Sequence, residues 1–158
     1  MHAIVPITPF HFGPGAAIYA AAPRYVSFFA FCAANILMDV EPLYYMLTQQ
    51  YPLHRFFHTY IGASIVAAAT VGLFEAARRV VEKIPRLHAV ALGATLGTFS
   101  HVFLDSIMHR DIKPVAPFSD ANPLLGAISL PALHWSCLVA GGVGAAIFMA
   151  RSMKSGAS

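Results

Sequence analysis

ANPLLGAISLPALHWSCLVAGGVGAAIFMA, residues 121–150, runs for 30 positions without an Asp, Glu, Lys or Arg. That exceeds the ~20 apolar residues a helix needs to cross a bilayer. Two other gaps between charged residues have nearly the same property: 19 residues separate Arg55 from Glu75, and 18 separate Arg86 from Asp105. Three spanning helices are the minimum. The whole chain agrees, since 58% of its 158 residues are hydrophobic and only 11% are charged, against roughly 25% charged in soluble domains. Mean hydropathy is +0.64. The length fits a single domain, residues 1–158, and a chain this apolar has ample surface to bury, which excludes disorder.

Upstream, Met1 to Pro23 carries no charge and is interrupted by Pro6, Pro9, Gly13, Pro14 and Gly15. It lacks a basic n-region and a cleavage site, so it does not read as a signal peptide. Pro14 suits the first turn of a helix running to about Ala22, and a second apolar helix is expected from Tyr25 to Met38. Both are shorter than a span. They read as a helical hairpin packed into the bundle, with His11 and Asp39 at its open end. The expected fold is all-α: a polytopic membrane bundle of about five helices, a short N-terminal hairpin plus three spanning helices.

The basic residues set an orientation. Arg24, Arg78, Arg79, Lys83, Arg86, Arg151 and Lys154 fall on one side and Arg55, Arg110 and Lys113 on the other, seven against three. Positive charge accumulates on cytoplasmic loops, so the second group faces away from the cytoplasm. The net charge of +3 is this topology signal. Arg78 to Arg86 is a short juxtamembrane run without aromatic interleaving, and no nucleic-acid partner is expected. Cys32 and Cys137 stand far apart in apolar segments with no C-x-x-C spacing and read as small packing residues. The Gly/Ala-rich stretch from Gly141 to Ala146 lets helices approach closely.

The remaining polar residues gather at the helix ends of the non-cytoplasmic side. Asp39 and Glu41 end the second helix, His54 and His58 begin the third, and His101, Asp105, His109 and Asp111 surround the end of the fourth. Spacings of i and i+4 place His54 with His58, and His101 with Asp105, on single helix faces where each pair can share a metal. His101 and His109 would lie roughly 12 Å apart along a helix. One ion cannot take both, so either two ions are present or His109 stands behind the ligands or on the substrate path. Imidazole with carboxylate suits zinc, iron or manganese, and the lack of thiolates argues against an iron–sulfur or closed zinc site. A cation would offset the cost of so many titratable groups at a membrane helix end.

Asp39-x-Glu41, His54-Arg-x-x-His58-Thr and Gly97-x-x-Ser100-His101-x-x-Leu104-Asp105 with a proline-rich loop after it resemble the bacterial inner-membrane metal-dependent hydrolases. More remotely, this order of His and Asp is similar to the zinc-dependent phospholipase C and P1-type nuclease superfamily of all-helical phosphodiesterases. The resemblance covers about residues 9 to 124. It implies metal-ligand roles for His11, Asp39, His54 or His58, His101 and Asp105, in a multi-pass protein of the bacterial inner membrane. The superfamily's later His-x-x-x-Glu is absent, since Leu138 stands four residues after His134. One or two ions are therefore expected, Zn²⁺ before Mn²⁺ or Fe²⁺.

The chemistry these residues suggest is metal-assisted hydrolysis. Asp39 would bridge two ions, Glu41 or Asp111 would orient or deprotonate the water, and Arg55, Arg110 and Lys113 would hold a phosphate. A position at the lipid boundary favours a lipid headgroup or lipid-linked phosphate. The alternative is a non-enzymatic metal-binding or transport protein. A haem bundle fits poorly, given the carboxylates one turn from the histidines and the lack of C-x-x-C-H. His2 and His88 read as interfacial, His134 as a hydrogen-bonded core residue, Asp120 and Asn122 as turn and cap residues, and Glu75 and Glu82 as partners of Arg78, Arg79 or Arg86.

Overall fold

Apolar length dictates the frame. In a computed structural model, which describes residues 8–156, the three uncharged gaps become α4 (Tyr60–Ala77), α5 (Leu87–Met108) and α6 (Leu130–Gly156), each long and apolar enough to cross a membrane. Two shorter helices, α1 (Thr8–Ala21) and α2 (Phe28–Met38), precede them, and an eight-residue α3 (Val40–Leu47) follows α2 directly. The described residues contain no strand. His2 lies outside them. Leu73, Val139, Val143 and Phe148 project outward from α4 and α6, as lipid-facing side chains do. α5 is the most enclosed of the three long helices.

α1 begins at Thr8, so Pro14 sits inside it and not in its first turn. Pro9 occupies that position instead, where a missing N–H costs nothing. The helix runs on through Pro14 to Ala21. α1 lies mainly along α6 and less along α2, which corrects the simple hairpin. A Cβ on Gly13 would collide with the Cys137 carbonyl, and one on Gly144 would lie 2.6 Å from backbone of Ala16. The small residues of α6 thus bring two backbones into contact, as small-residue stripes do in membranes.

α2 starts at Ser27, whose hydroxyl accepts the Ala30 N–H at 3.2 Å, an N-cap that displaces the expected start at Tyr25. α2 and α5 run parallel in a register that repeats every four residues. Gly93 faces Ser27 and Gly97 faces Phe31, each so closely that a Cβ would strike the opposite carbonyl oxygen. One step further, His101 meets Asn35. Residues at i and i+4 share a helix face, so two glycines set the distance at which the polar end of the stripe meets.

α1, α4 and α6 start at the end of the bundle where α2 and α5 finish. His11, Asp39 and Asp105 gather at one end, while Arg151 of α6 donates to the Ala20 carbonyl of α1 at the other.

Candidate metal centre

The stripe on α2 and α5 supplies the floor of the site. Asn35 is fully buried and its Nδ2 donates to the Phe31 carbonyl at 2.9 Å. Its Oδ1 is therefore turned to His101 Nδ1, 3.0 Å away, as an acceptor. That bond places a proton on Nδ1, so Nε2 is the ring atom that faces the carboxylates. Nε2 points at carboxylates: Asp105 Oδ2 at 3.1 Å and Asp39 Oδ1 at 3.3 Å.

His54 and His58 arrive by a different route from the one their spacing suggests. Thr59 caps α4 by accepting the Gly62 N–H at 3.0 Å, so the helix starts at Tyr60 and both histidines precede it. His58 ends a single 3-10 turn, Phe56–His58, and His54 lies in the loop before it. The turn folds onto the first turn of α4, where a Cβ on Gly62 would strike Phe56. A helical i,i+4 pair would project both rings sideways; the fold-back directs both inward, ring centroids 4.7 Å apart.

Two carboxylates hold this fold-back. Glu41, on the unforeseen α3, accepts the Phe57 and Arg55 N–H groups at 3.1 Å and His58 Nδ1 at 3.3 Å. Asp111 accepts the Leu53 and His54 N–H groups at 3.0 and 3.1 Å and His54 Nδ1 at 2.9 Å. Burial by itself would raise both carboxyl pKa values, but the histidine and backbone hydrogen bonds outweigh it and hold both groups ionised below their ordinary range. Glu41 and Asp111 thereby act as orienting partners of two imidazoles. The carboxylate oxygens of both are turned to His54, His58 and the backbone, and Asp111 also lines the cleft beside His54. Burial also pushes the His58 imidazole pKa down, and that of His109 likewise, favouring the neutral form that ligates metals.

Nε2 of His54, His58 and His101, and Oδ2 of Asp105, are buried and make no hydrogen bond. Buried polar atoms are ordinarily paired. Here they converge: His58 Nε2 lies 3.7 Å from Asp105 Oδ2, the same oxygen that His101 approaches. A cation between these atoms would pair them, and the donor set fits a divalent metal. Asp39, His58, His101 and Asp105 each offer one ligand atom, all within 4.8 Å of one another, and are placed to hold an ion. A second set, His54, Asp105 and His109, meets the same criterion. Asp105 belongs to both sets and Asp39 only to the first, so Asp105 is the carboxylate common to the two. His109 is carried off the helical path by an extended backbone at the end of α5, and its ring stands 4.3 Å from that of His54. His11 falls in neither set. Its Nε2 is 3.0 Å from Asp105 Oδ1 and its ring stacks on His101 at 4.4 Å, so it braces the shared carboxylate.

The outer wall is less uniform. A cleft of about 360 Å³ beside the second set is lined by His54, Arg55, Asp111 and Lys113. Arg55 is fixed over the Tyr45 ring at 3.7 Å and donates to the Pro52 carbonyl at 3.0 Å. Lys113 pairs with Asp120 at 2.9 Å on the surface, which replaces the turn role expected of Asp120. Arg110 is exposed and does not line this cleft. Asn122 is a cap, donating to the Ser106 and His109 carbonyls at 2.9 and 3.3 Å and so closing the end of α5. His134 stacks on Phe10 at 4.4 Å, half-buried, in place of a hydrogen-bonded core position. Glu75 pairs with Arg78 at 2.8 Å; among the described residues Glu82 forms no ion pair.

Asn35 is the functional residue that spacing analysis missed. Its signal is one amide in an otherwise apolar helix, four positions before Asp39 and so on the same face. Replacing it with Ala strips the acceptor from His101 Nδ1 and frees the ring to adopt either tautomer. Metal affinity should fall about 10- to 100-fold, the range for removing such a supporting partner. Competition titration against a chromophoric chelator measures it, and wild-type affinity in Asn35→Ala would remove Asn35 from the site. No protein-family model, no curated protein and no solved structure matches the chain.

Proposed function

We propose that this protein is a membrane-bound metal-dependent hydrolase of phosphoesters presented at the bilayer surface, such as a lipid headgroup or lipid-linked phosphate. The observation that carries the reading is the convergence of three bare imidazole nitrogens on the Asp105 carboxylate beside a cleft walled by Arg55 and Lys113. Two Zn²⁺ ions suit the donor set, with Mn²⁺ or Fe²⁺ as substitutes. A divalent ion with an open position supplies a Lewis acid for a phosphoryl oxygen and lowers the pKa of water toward about 7.

The chain's own residues do the rest. Asn35, Glu41 and Asp111 fix the tautomers of His101, His58 and His54 so that each presents Nε2. His11 holds the other oxygen of Asp105. Arg55 has guanidinium N–H groups beyond the one given to Pro52, and these suit an anionic oxygen in the cleft. Lys113 would exchange Asp120 for the same ligand. Seven basic residues at the opposite end favour a site on the non-cytoplasmic side, and the motif resemblance favours a bacterial inner membrane.

Transport would need polar groups along the bundle. Among the described residues the buried Thr70 and Thr98 hydroxyls are spent on carbonyls of their own helices, so hydrolysis is preferred to passage. The test is a panel of phospholipids, a lipid-linked diphosphate and a soluble phosphodiester, offered to detergent-purified, Zn²⁺-loaded protein. Metal-dependent phosphate or alcohol release from the lipid substrates is expected. Bound metal without turnover on any member would leave a metal-binding protein and overturn the hydrolase reading.

A further inference from the structure

At the end of the bundle away from the histidine cluster, a cleft of about 900 Å³ lies between α1, α2 and α6, with Pro85 and Arg86 of the loop before α5 in its lining. Its walls are apolar, with Tyr19, Phe28, Ala145 and Phe148 among them, and its charged lining residues are Arg24 and Arg86. Both arginines are exposed, and among the described residues neither forms an ion pair. Glu75, at the same end, is already held by Arg78.

The depth of the cleft is as informative as its charge. Gly144 lines the wall seven residues before Arg151 on α6, a rise of roughly 10 Å. The cleft therefore reaches from the level of the basic helix ends well into the apolar part of the bundle. An occupant matching both features has an anionic head and an apolar tail aligned with the helices. Basic pockets between membrane helices recognise anionic lipid headgroups in this way.

We propose that this cleft binds an anionic phospholipid, one acyl chain lying against Tyr19, Phe28 and Phe148 and the phosphate held by Arg24 and Arg86. The site is separate from the histidine cluster, so its loss and the loss of the metal-dependent activity are independent results.

The probe is an equimolar mixture of phosphatidylglycerol and phosphatidylethanolamine with matched acyl chains, added to detergent-purified full-length protein. Bound lipid is read by native mass spectrometry. Wild type should retain phosphatidylglycerol at least about tenfold over phosphatidylethanolamine, the discrimination of one charge-assisted contact. The Arg24→Gln/Arg86→Gln pair should bring the ratio close to one. Ala145→Trp, which fills the wall without touching the charges, should reduce retention of both lipids. Metal content should stay at the wild-type level in all variants, which also reports that they fold. Equal retention of the two lipids by wild type, a preference that survives loss of both arginines, or undiminished binding in Ala145→Trp would each overturn the proposal. Displacement of the lipid by soluble glycerol phosphate would do the same, by showing a phosphate site that needs no acyl chain.

Discussion

Asp105→Asn is expected to strip both ions from the purified protein, while His109→Ala removes one and keeps the other. Asp105 is the residue common to the two ligand sets, and its carboxylate is the charge toward which His58 and His101 both turn. An amide keeps the volume but removes the anion and offers a donor where an acceptor is needed. Loss of a supporting partner typically costs 10- to 100-fold in metal affinity; loss of a shared ligand should cost more than about 100-fold at each position. His101→Ala should act on the ion of the Asp39 set alone. Elemental analysis of detergent-purified protein gives the stoichiometry, and circular dichroism with size-exclusion profiles establishes that the helices persist. Wild-type metal content in Asp105→Asn would end the case for the centre.

Chelation should lower the thermal midpoint substantially, and added Zn²⁺ should restore it. Without a cation, Oδ2 of the buried Asp105 carboxylate and the Nε2 atoms of His54, His58 and His101 face one another with no hydrogen bonds to compensate their burial. Buried charges without such partners cost several kcal/mol. A ligand at 1,000 times its dissociation constant stabilises the folded state by about 4 kcal/mol, which for a chain of this size corresponds to a shift on the order of 10 °C. The comparison is wild type before and after dialysis against a chelator, with Asp105→Asn beside it. Asp105→Asn should show no chelator response, having no ion to lose. A wild-type midpoint that ignores both chelator and metal would mean that a proton, not a metal, joins His101 to Asp105 and Asp39.

Most of the frame was legible because membrane helices obey a local rule: enough consecutive apolar residues to satisfy the backbone within the lipid. The three uncharged gaps became α4, α5 and α6 on this ground. His101 with Asp105 was legible for a related reason, since both lie within one continuous helix and i,i+4 spacing then has a geometric meaning. The same spacing misled at His54 and His58. Thr59 accepts the Gly62 N–H and starts the helix after them, and a cap competes with helix continuation in a way that periodicity does not register. Pro14 misled in the opposite direction: α1 starts six residues before it and runs on through it, packed along α6. α3 follows α2 with only Asp39 between, too short for its pattern to stand out, yet it carries the Glu41 that orients His58.

By itself, the order of residues determined that the chain is an all-helical bundle with three segments able to span a membrane, and that the histidines and carboxylates of the candidate site fall at helix ends on one side, because apolar length and charge position are properties of a linear string. Which of those groups meet was decided only by tertiary contacts. The glycine-lined parallel packing of α2 on α5 brings Asn35 to His101, and the fold-back before α4 turns His54 and His58 inward. Coordination depends on the direction of single lone pairs over a few ångströms, and partners as much as 94 residues away, such as His11 and Asp105, set that direction.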